Sequence, residues 1–387
     1  MTPTLDSELP EGFEDAPCPL CGSASAHPVV HAGDRLRPGA DVSYSVVSCQ
    51  GCGVSYLRPR PTPQAIGGFY PDSYTGGGRR GPLERVEAAF RRRQHGEVVR
   101  WLAARRPKRG RVLDVGCGAG DLLVALRADG WETHGVEPSA PGATEAHDGH
   151  GLDVVHGRFE DARLPAAPFD AVVFSGVIEH LHDPLGALRR ARTLLAPGGL
   201  IAVLFVPLLD SPQARFFGPR WLALDLPRHL THFERRTFVD MASAAGLMVA
   251  SSEAYSRRHS ASQLVGSLFP ALQKHRFYLG EAPTWPRPQS PARSPAWKRQ
   301  PGMPRSRRSS WSRRRRRLAA RDAPTTGRRF YPSVPSSMPT SVSWTMGASG
   351  SSRTVSEPHC GHTGRGSSVV NSSLQLRHVA ATGLCSK

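Results

Sequence analysis

The chain has 387 residues, with 50 Lys+Arg against 32 Asp+Glu, a formal net charge of +18 and 39% apolar residues. That length allows more than one domain and a sizeable core, and seven cysteines spread along it exclude a small disulfide scaffold. The charge is uneven: residues from Glu281 onward hold 19 Lys+Arg and 3 Asp+Glu, whereas residues 1–280 hold 31 and 29. The first 280 residues therefore lack the basic excess that binding to a nucleic-acid backbone requires.

Residues 1–16 are acidic and have no apolar run, so no signal peptide is expected and a cytoplasmic, reducing setting is. Cys18-Pro-Leu-Cys21 and Cys49-Gln-Gly-Cys52 then form two Cys-x-x-Cys pairs. Each pair puts two thiolates on one tight turn, with Gly22 and Gly53 to relax it, and two such turns close a tetrahedral four-sulfur site suited to Zn2+. Four thiolates leave no open position, so the zinc is expected to be structural; disulfides are the competing reading, disfavoured by a reducing compartment. A metal allows a segment too small for its own core to fold, here a ribbon over residues 1–60.

Residues 61–110 read as a cap segment and linker helix. The helix runs from Gly81 to Pro107, with Leu83, Val86, Phe90, Val98, Trp101 and Leu102 as its apolar face. Its other face is basic, with 12 Lys+Arg and 3 Glu from Arg79 to Arg111. A solvated helix face is the plain reading; attraction to a diphosphate or to RNA is the functional one.

Val112-Leu-Asp-Val-Gly-Cys-Gly-Ala-Gly120 carries most of the chemistry. An apolar strand, Arg111 to Val115, enters a turn in which Gly116, Gly118 and Gly120 allow a ligand to approach the backbone. The third glycine comes one residue earlier than in a dinucleotide-binding turn, which disfavours a pyrophosphate. A second strand, Trp131 to Glu137, ends in a carboxylate placed to accept two ribose hydroxyls, and Asp114 lies within reach of a cationic amino-acid group. A ribose and an ammonium together describe S-adenosylmethionine. Cys117 is expected to be a small residue filling the turn.

Further strands are expected at Leu152 to His156, Asp170 to Ser175, Leu200 to Val206 and Leu247 to Glu253. Asp183 and Pro184 supply an N-cap and first-turn proline for a helix over Leu185 to Leu195, and Thr237 to Ala245 reads as another helix, stopped by Gly246. Glu179-His180 follows the fourth strand, and Asp225-Leu-Pro-Arg-His-Leu-Thr-His232 lies in an insertion after the fifth. His180 is the first candidate for general base and His229 the second, with Arg228 as a phosphate partner and Trp221 as a stacking or packing group. No seventh strand is assigned. The tail, residues 281–387, has Arg313 to Arg317 in a row, abundant Ser and Pro, and no sustained period, and is expected to be disordered. Either it is a genuine polybasic segment or a shift of reading frame near residues 272–285 produced it.

Four ordered segments, Val112 to Gly120, Val136-Glu-Pro138, Phe169 to Pro184 and Leu194 to Ile201, resemble those of class I S-adenosylmethionine-dependent methyltransferases. The resemblance spans Arg111 to Ala250 and implies an α/β fold with a Rossmann-like doubly wound sheet over residues 111–280, the cofactor lying across the carboxyl ends of the strands. It implies that Phe159 and Glu160 recognise adenine, with Arg158 standing where many members carry Asp, and that Ser175 borders the reacting centre. The order of four-cysteine ribbon, cap and core is similar to a subgroup that includes sugar methyltransferases, which implies that Tyr70 and Tyr74 cap the substrate side. In some similar quinone O-methyltransferases the Glu-His pair helps hold a divalent metal, but Gly176 stands where those carry another acid. The expected partner is a small-molecule acceptor: a sugar, nucleotide-sugar or secondary-metabolite intermediate. The alternatives are an RNA methyltransferase with a zinc knuckle, and a zinc-ribbon interaction protein on an inactive core.

Overall fold

The computed structural model describes residues 9–36, 42–70, 82–253, 257–269 and 341–348. All belong to one compact unit, Met1–Ser349; the second unit, Gly350–Lys387, lies outside the described residues. So do Tyr74, the side chains of Leu83, Val86 and Phe90, and the rest of the basic tail.

The N-terminal module contains β1 (Phe13–Glu14), β2 (Ala26–Gly33), β3 (Ser43–Cys49), β4 (Ser55–Leu57) and β5 (Arg60–Pro61). A long helix, α1 (Pro82–Arg105), leads to β6 (Arg111–Val115), α2 (Asp121–Ala128), β7 (Glu132–Glu137), α3 (Ala140–Thr144), β8 (Asp153–His156), β9 (Phe169–Ser175), α4 (Pro184–Thr193) and β10 (Leu195–Pro207). Then follow α5 (Pro212–Phe217), β11 (Thr231–His232), α6 (Arg235–Ala244), β12 (Leu247–Glu253), α7 (Arg257–Leu268) and β13 (Ser341–Ala348). The expected core elements are present to within a few residues, because each carries a local signal. Asp183 caps α4 by accepting from Gly186 N at 2.8 Å ahead of Pro184, worth about 1 kcal/mol. Glu234 opens α6 with a capping box to Thr237.

The central sheet has seven strands in the order β12-β13-β10-β9-β6-β7-β8. β8, β7, β6, β9 and β10 are parallel, which brings the carboxyl ends of β6, β7 and β9 to one edge. The apolar faces of these strands are buried on both sides. Leu113, Val115, Val172 and Phe174 pack with α4 and α6, and Val112, Ala171 and Val173 pack with α1 and α2.

Two expectations are corrected here. Ser341–Ala348, from the segment read as aperiodic and disordered, forms the seventh strand, antiparallel to both β10 and β12. Its sequence alternates polar residues with Val342, Trp344 and Met346, a period of two that the surrounding Arg, Ser and Pro obscure. The sheet of the segment read as a ribbon over residues 1–60, moreover, takes in a strand from far outside that range. This four-stranded sheet runs β11-β4-β3-β2, with Thr231 opposite Tyr56 and His232 opposite Ser55, so the insertion after β10 supplies an edge strand.

Among the described residues β12 pairs with β13 alone. A chain ending at Thr340 should therefore lose amide protection across Leu247–Glu253 while β6 and β7 keep theirs. Hydrogen-exchange mass spectrometry tests this, and unchanged protection of β12 would refute the pairing.

Candidate functional site

Gly116, Gly118 and Gly120 all adopt positive φ, 68°, 55° and 84°. At Gly120 a Cβ would meet Leu152 Cδ1 at 2.3 Å and Ala146 Cβ at 3.2 Å, so a side chain there would press on the segment before β8. At Gly118 a Cβ would meet nothing within 4 Å, so the backbone faces open space. Glu137, 4% exposed at the end of β7, accepts from Gly118 N at 2.8 Å and from Ser139 N at 2.9 Å, one bond to each carboxylate oxygen. The carboxylate thus braces the turn itself, with lone pairs left for further donors. Asp114, 2% exposed, has no hydrogen-bond partner for its Oδ1. Burial, and then the charge of Glu137, push its carboxyl up to about 8. Burial also raises the Cys117 thiol, which leaves it a poor nucleophile and fits its reading as turn filling.

The remaining residues expected around the cofactor are less uniform. Ser175 is partly exposed at the end of β9. Glu160 is partly buried, 3.6 Å from Arg158. Phe159 departs from expectation: it is 3% exposed, edge-on to Phe174 and under the Arg190 guanidinium, so its ring is committed to the core.

A second cluster forms where the turn after β9 meets the insertion after β10. His180 Nδ1 lies 3.1 Å from the Arg228 carbonyl and 3.0 Å from Tyr70 Oη, which brings the cap segment into the site. His229 Nδ1 donates to the Ala223 carbonyl at 2.9 Å, and its ring packs across that of His180 with centroids 4.5 Å apart. Burial holds His180 and His232 at about 4 and His229 well below its ordinary value, so all three are neutral imidazoles. Glu179 is 3% exposed with Oε2 unpartnered, and burial pushes its carboxyl up to about 8. Glu179, His180 and His229 each offer one ligand atom within 4.8 Å of the others, a set that could hold a metal ion by donor type.

Arg228 is not placed to meet a phosphate. Its side chain is 0% exposed and ion-paired to Asp34 and Asp225, two residues that sequence reasoning did not single out. Nothing local in the sequence marks Asp34, which lies 194 residues from its partner. Trp221, 1% exposed, packs in the core and offers no stacking face.

In the N-terminal module Cys18, Cys21, Cys49 and Cys52 converge, with all four sulfurs within 4.8 Å of one another. Cys18 and Cys52 are 3.4 Å apart and Cys21 and Cys49 3.5 Å, too long for disulfides. Gly22 N donates to Cys18 O and Gly53 N to Cys49 O, closing two alike turns at positive φ.

Residues 88–252 match the family described as a methyltransferase domain. The match begins in α1 and ends in β12, so the four-cysteine module lies outside it. The chain is 31% identical over 169 residues to a malonyl-[acyl-carrier protein] O-methyltransferase of Enterobacter lignolyticus, covering 41% of this chain and 66% of that protein. It is 36% identical over 111 residues to a ubiquinone biosynthesis O-methyltransferase of Ruegeria pomeroyi, covering 27% and 45%. The chain spans about half to two thirds of the length of these curated relatives. Among solved structures it is similar to the amino pentose methyltransferase from Micromonospora echinaspora, with 20% identity, 46% of this chain and 95% of that one covered, and a TM-score of 0.34.

Alanine at Gly118 and at Gly120 should separate ligand approach from packing. Gly118→Ala should cost only the left-handed backbone penalty, about 1–2 kcal/mol. Gly120→Ala should add overpacking of about 1–3 kcal/mol. Denaturant unfolding of both variants measures the difference, and equal losses would contradict this account of the turn. The segment that matches the methyltransferase domain takes in the glycine turn, Glu137, His180 and His229.

Proposed function

We propose that the chain transfers a methyl group from S-adenosylmethionine to a small-molecule acceptor: a sugar, a nucleotide-linked sugar or a secondary-metabolite intermediate. The observation that carries this reading is the pair of buried carboxyl groups beside Gly118. Asp114 Oδ1 has no partner, and a Cβ at Gly118 would stand in open space. An unpartnered buried acid suits an ammonium, and bare backbone suits the close approach of a nucleoside.

In this reading Asp114 holds the amino-acid end of the donor, Glu137 accepts the ribose hydroxyls, and Gly116, Gly118 and Gly120 shape the turn around it. Glu160 accepts from the adenine amine, and Ser175 leaves room beside the reacting centre. When bound, S-adenosylmethionine supplies an electrophilic methyl group on a sulfonium. His180 is the general base, with His229 the second candidate. With Nδ1 donating to the Arg228 carbonyl, the lone pair of His180 lies on Nε2, the atom that takes the proton of an acceptor hydroxyl. The positive charge arriving there replaces the one that the transfer removes, so the buried site keeps its net charge. Cys18, Cys21, Cys49 and Cys52 hold a structural Zn2+; their spacing fits tetrahedral thiolates, whose sulfurs stand roughly 3.8 Å apart. No helix among the described residues is long and apolar enough to cross a membrane.

The Asp114 carboxyl is raised to about 8 by burial, so at pH 7 it is mostly protonated, and a cationic ligand must drive its proton off. Calorimetry at pH 7 in buffers of different ionisation enthalpy should show S-adenosylmethionine binding with proton release. Asp114→Asn should abolish that release, and Glu137→Ala should weaken binding at least about tenfold. Binding without proton release in the parent protein would remove Asp114 from the site, and no binding at all would favour the inactive-core alternative. Tight binding of RNA at moderate salt would favour the RNA reading instead. Incubating small-molecule extracts with the protein and labelled donor, followed by mass spectrometry, identifies the acceptor.

Zinc should be present at one ion per chain, and Cys49→Ser should release it and lower the melting temperature. Full retention of one zinc in that variant would rule out the four-cysteine assignment.

A further inference from the structure

We propose that Asp34, a residue of the N-terminal module, is a positioning residue for His180: it holds Arg228, whose main-chain carbonyl decides which ring nitrogen of His180 carries the proton. The inference rests on the reading of His180 as the base, and deepens it.

The guanidinium of Arg228 is sealed from solvent, and every one of its N–H groups has an acceptor nearby. Asp34 takes two of them as a fork, Nη2 to Oδ1 at 2.6 Å and Nη1 to Oδ2 at 3.1 Å. Asp225 Oδ1 takes Nε at 2.9 Å and shares Nη2 at 2.8 Å, while the Phe69 carbonyl takes Nη1 at 3.0 Å. Asp34 is itself fixed, accepting from Leu36 N at 2.8 Å. A fork of this kind sets both position and angle of the arginine.

The main chain of Arg228 belongs to a tight turn. Arg228 N and His229 N both donate to the Asp225 carbonyl, at 2.9 and 3.0 Å, and Asp225 holds a left-handed conformation at φ 38°, which aspartate adopts more readily than most side chains. The bond from His229 N fixes the peptide plane that carries the Arg228 carbonyl, and the side chain of Arg228 ties the whole turn to Asp34, so the ion pair sets where that carbonyl stands against His180. That carbonyl can only accept, so a proton on His180 Nδ1 satisfies it and leaves the lone pair on Nε2.

Tyr70 Oη supplies the competing arrangement. It lies 3.0 Å from the same Nδ1 and can donate to it if that nitrogen is bare. The proton would then sit on Nε2, and His180 could no longer accept one there. A phenol carries its proton at neutral pH, so Tyr70 can donate in that arrangement. The Arg228 carbonyl tips the balance towards the basic form of Nε2, and the two acids hold the carbonyl in place.

Neither acceptor nor donor is needed to test this. Long-range proton–nitrogen correlation spectra of 15N-histidine protein report the tautomer of each imidazole, with His180 assigned from a His180→Gln spectrum. The parent should show His180 protonated on Nδ1. Asp34→Asn should shift His180 to a mixture in which the Nε2–H form is the larger share, and Asp34→Glu should restore the parent pattern. His229, whose Nδ1 is held by Ala223 rather than by Arg228, should stay unchanged in every variant and serves as the check for general disruption. Should Asp34→Asn fail to fold, Arg228→Lys keeps the charge but removes the fork, and the same shift is expected of it. A folded variant with His180 still on Nδ1, or with His229 altered to the same extent, overturns the proposal. If the parent fails to bind S-adenosylmethionine, the transferase reading falls by itself, and the tautomer spectra still decide the role of Asp34.

Discussion

The buried guanidinium of Arg228, held between Asp34 and Asp225, is the contact on which the arrangement of the site depends. A charge sealed from water is costly unless paired and fully hydrogen-bonded, and loss of one partner of such a pair costs about 3–5 kcal/mol. The pairing therefore has one good geometry, and it joins two parts of the chain that share no local sequence signal. It explains why the four-cysteine module is more than an appendage. The same insertion that carries Arg228 adds β11 to the module's sheet, so main-chain pairing and a buried ion pair hold one joint together.

Around that joint the interior is richer in acceptors than in cations. Asp114 and Glu179 are buried carboxyl groups pushed up to about 8, and His180, His229 and His232 are imidazoles held neutral by burial. A core chosen for stability alone would replace such groups with apolar ones. Their concentration at the carboxyl ends of β6 and β9, and in the insertion facing them, marks this region as the candidate site, since perturbed titratable groups gather where function does. The surface cavity of about 440 Å3 lined by Arg189, Arg190 and Arg192 shares no residue with it. Arg189 donates to the Ala244 carbonyl at the end of α6, and Arg190 to the Glu160 and Ala162 carbonyls in the turn after β8.

β13 shows how much a sheet can take from a distant segment. It is separated from β12 by more than eighty residues, yet it fills the place between β10 and β12 and is antiparallel to both. Without it β12 would have no ladder partner among the described residues, and β10 would present an open edge.

The sequence by itself determined the parallel core and the glycine turn. Glycines at 116, 118 and 120 after an apolar strand, carboxylates at 114 and 137, and caps at Asp183 and Gly246 each act within a few residues, so their meaning is readable in order along the chain. The Cys18, Cys21, Cys49 and Cys52 pattern was legible for the same reason: spacing within each pair sets the turn. Only the tertiary structure decided the rest. Phe159 turned into the core because Phe174 and Arg190 meet it there, Arg228 became a clamp because Asp34 reaches it from the other end of the fold, and Ser341–Ala348 became a strand because β10 and β12 leave a gap of its width. These outcomes depend on contacts between residues far apart in the chain, and side-chain type and local spacing carry no record of such partners.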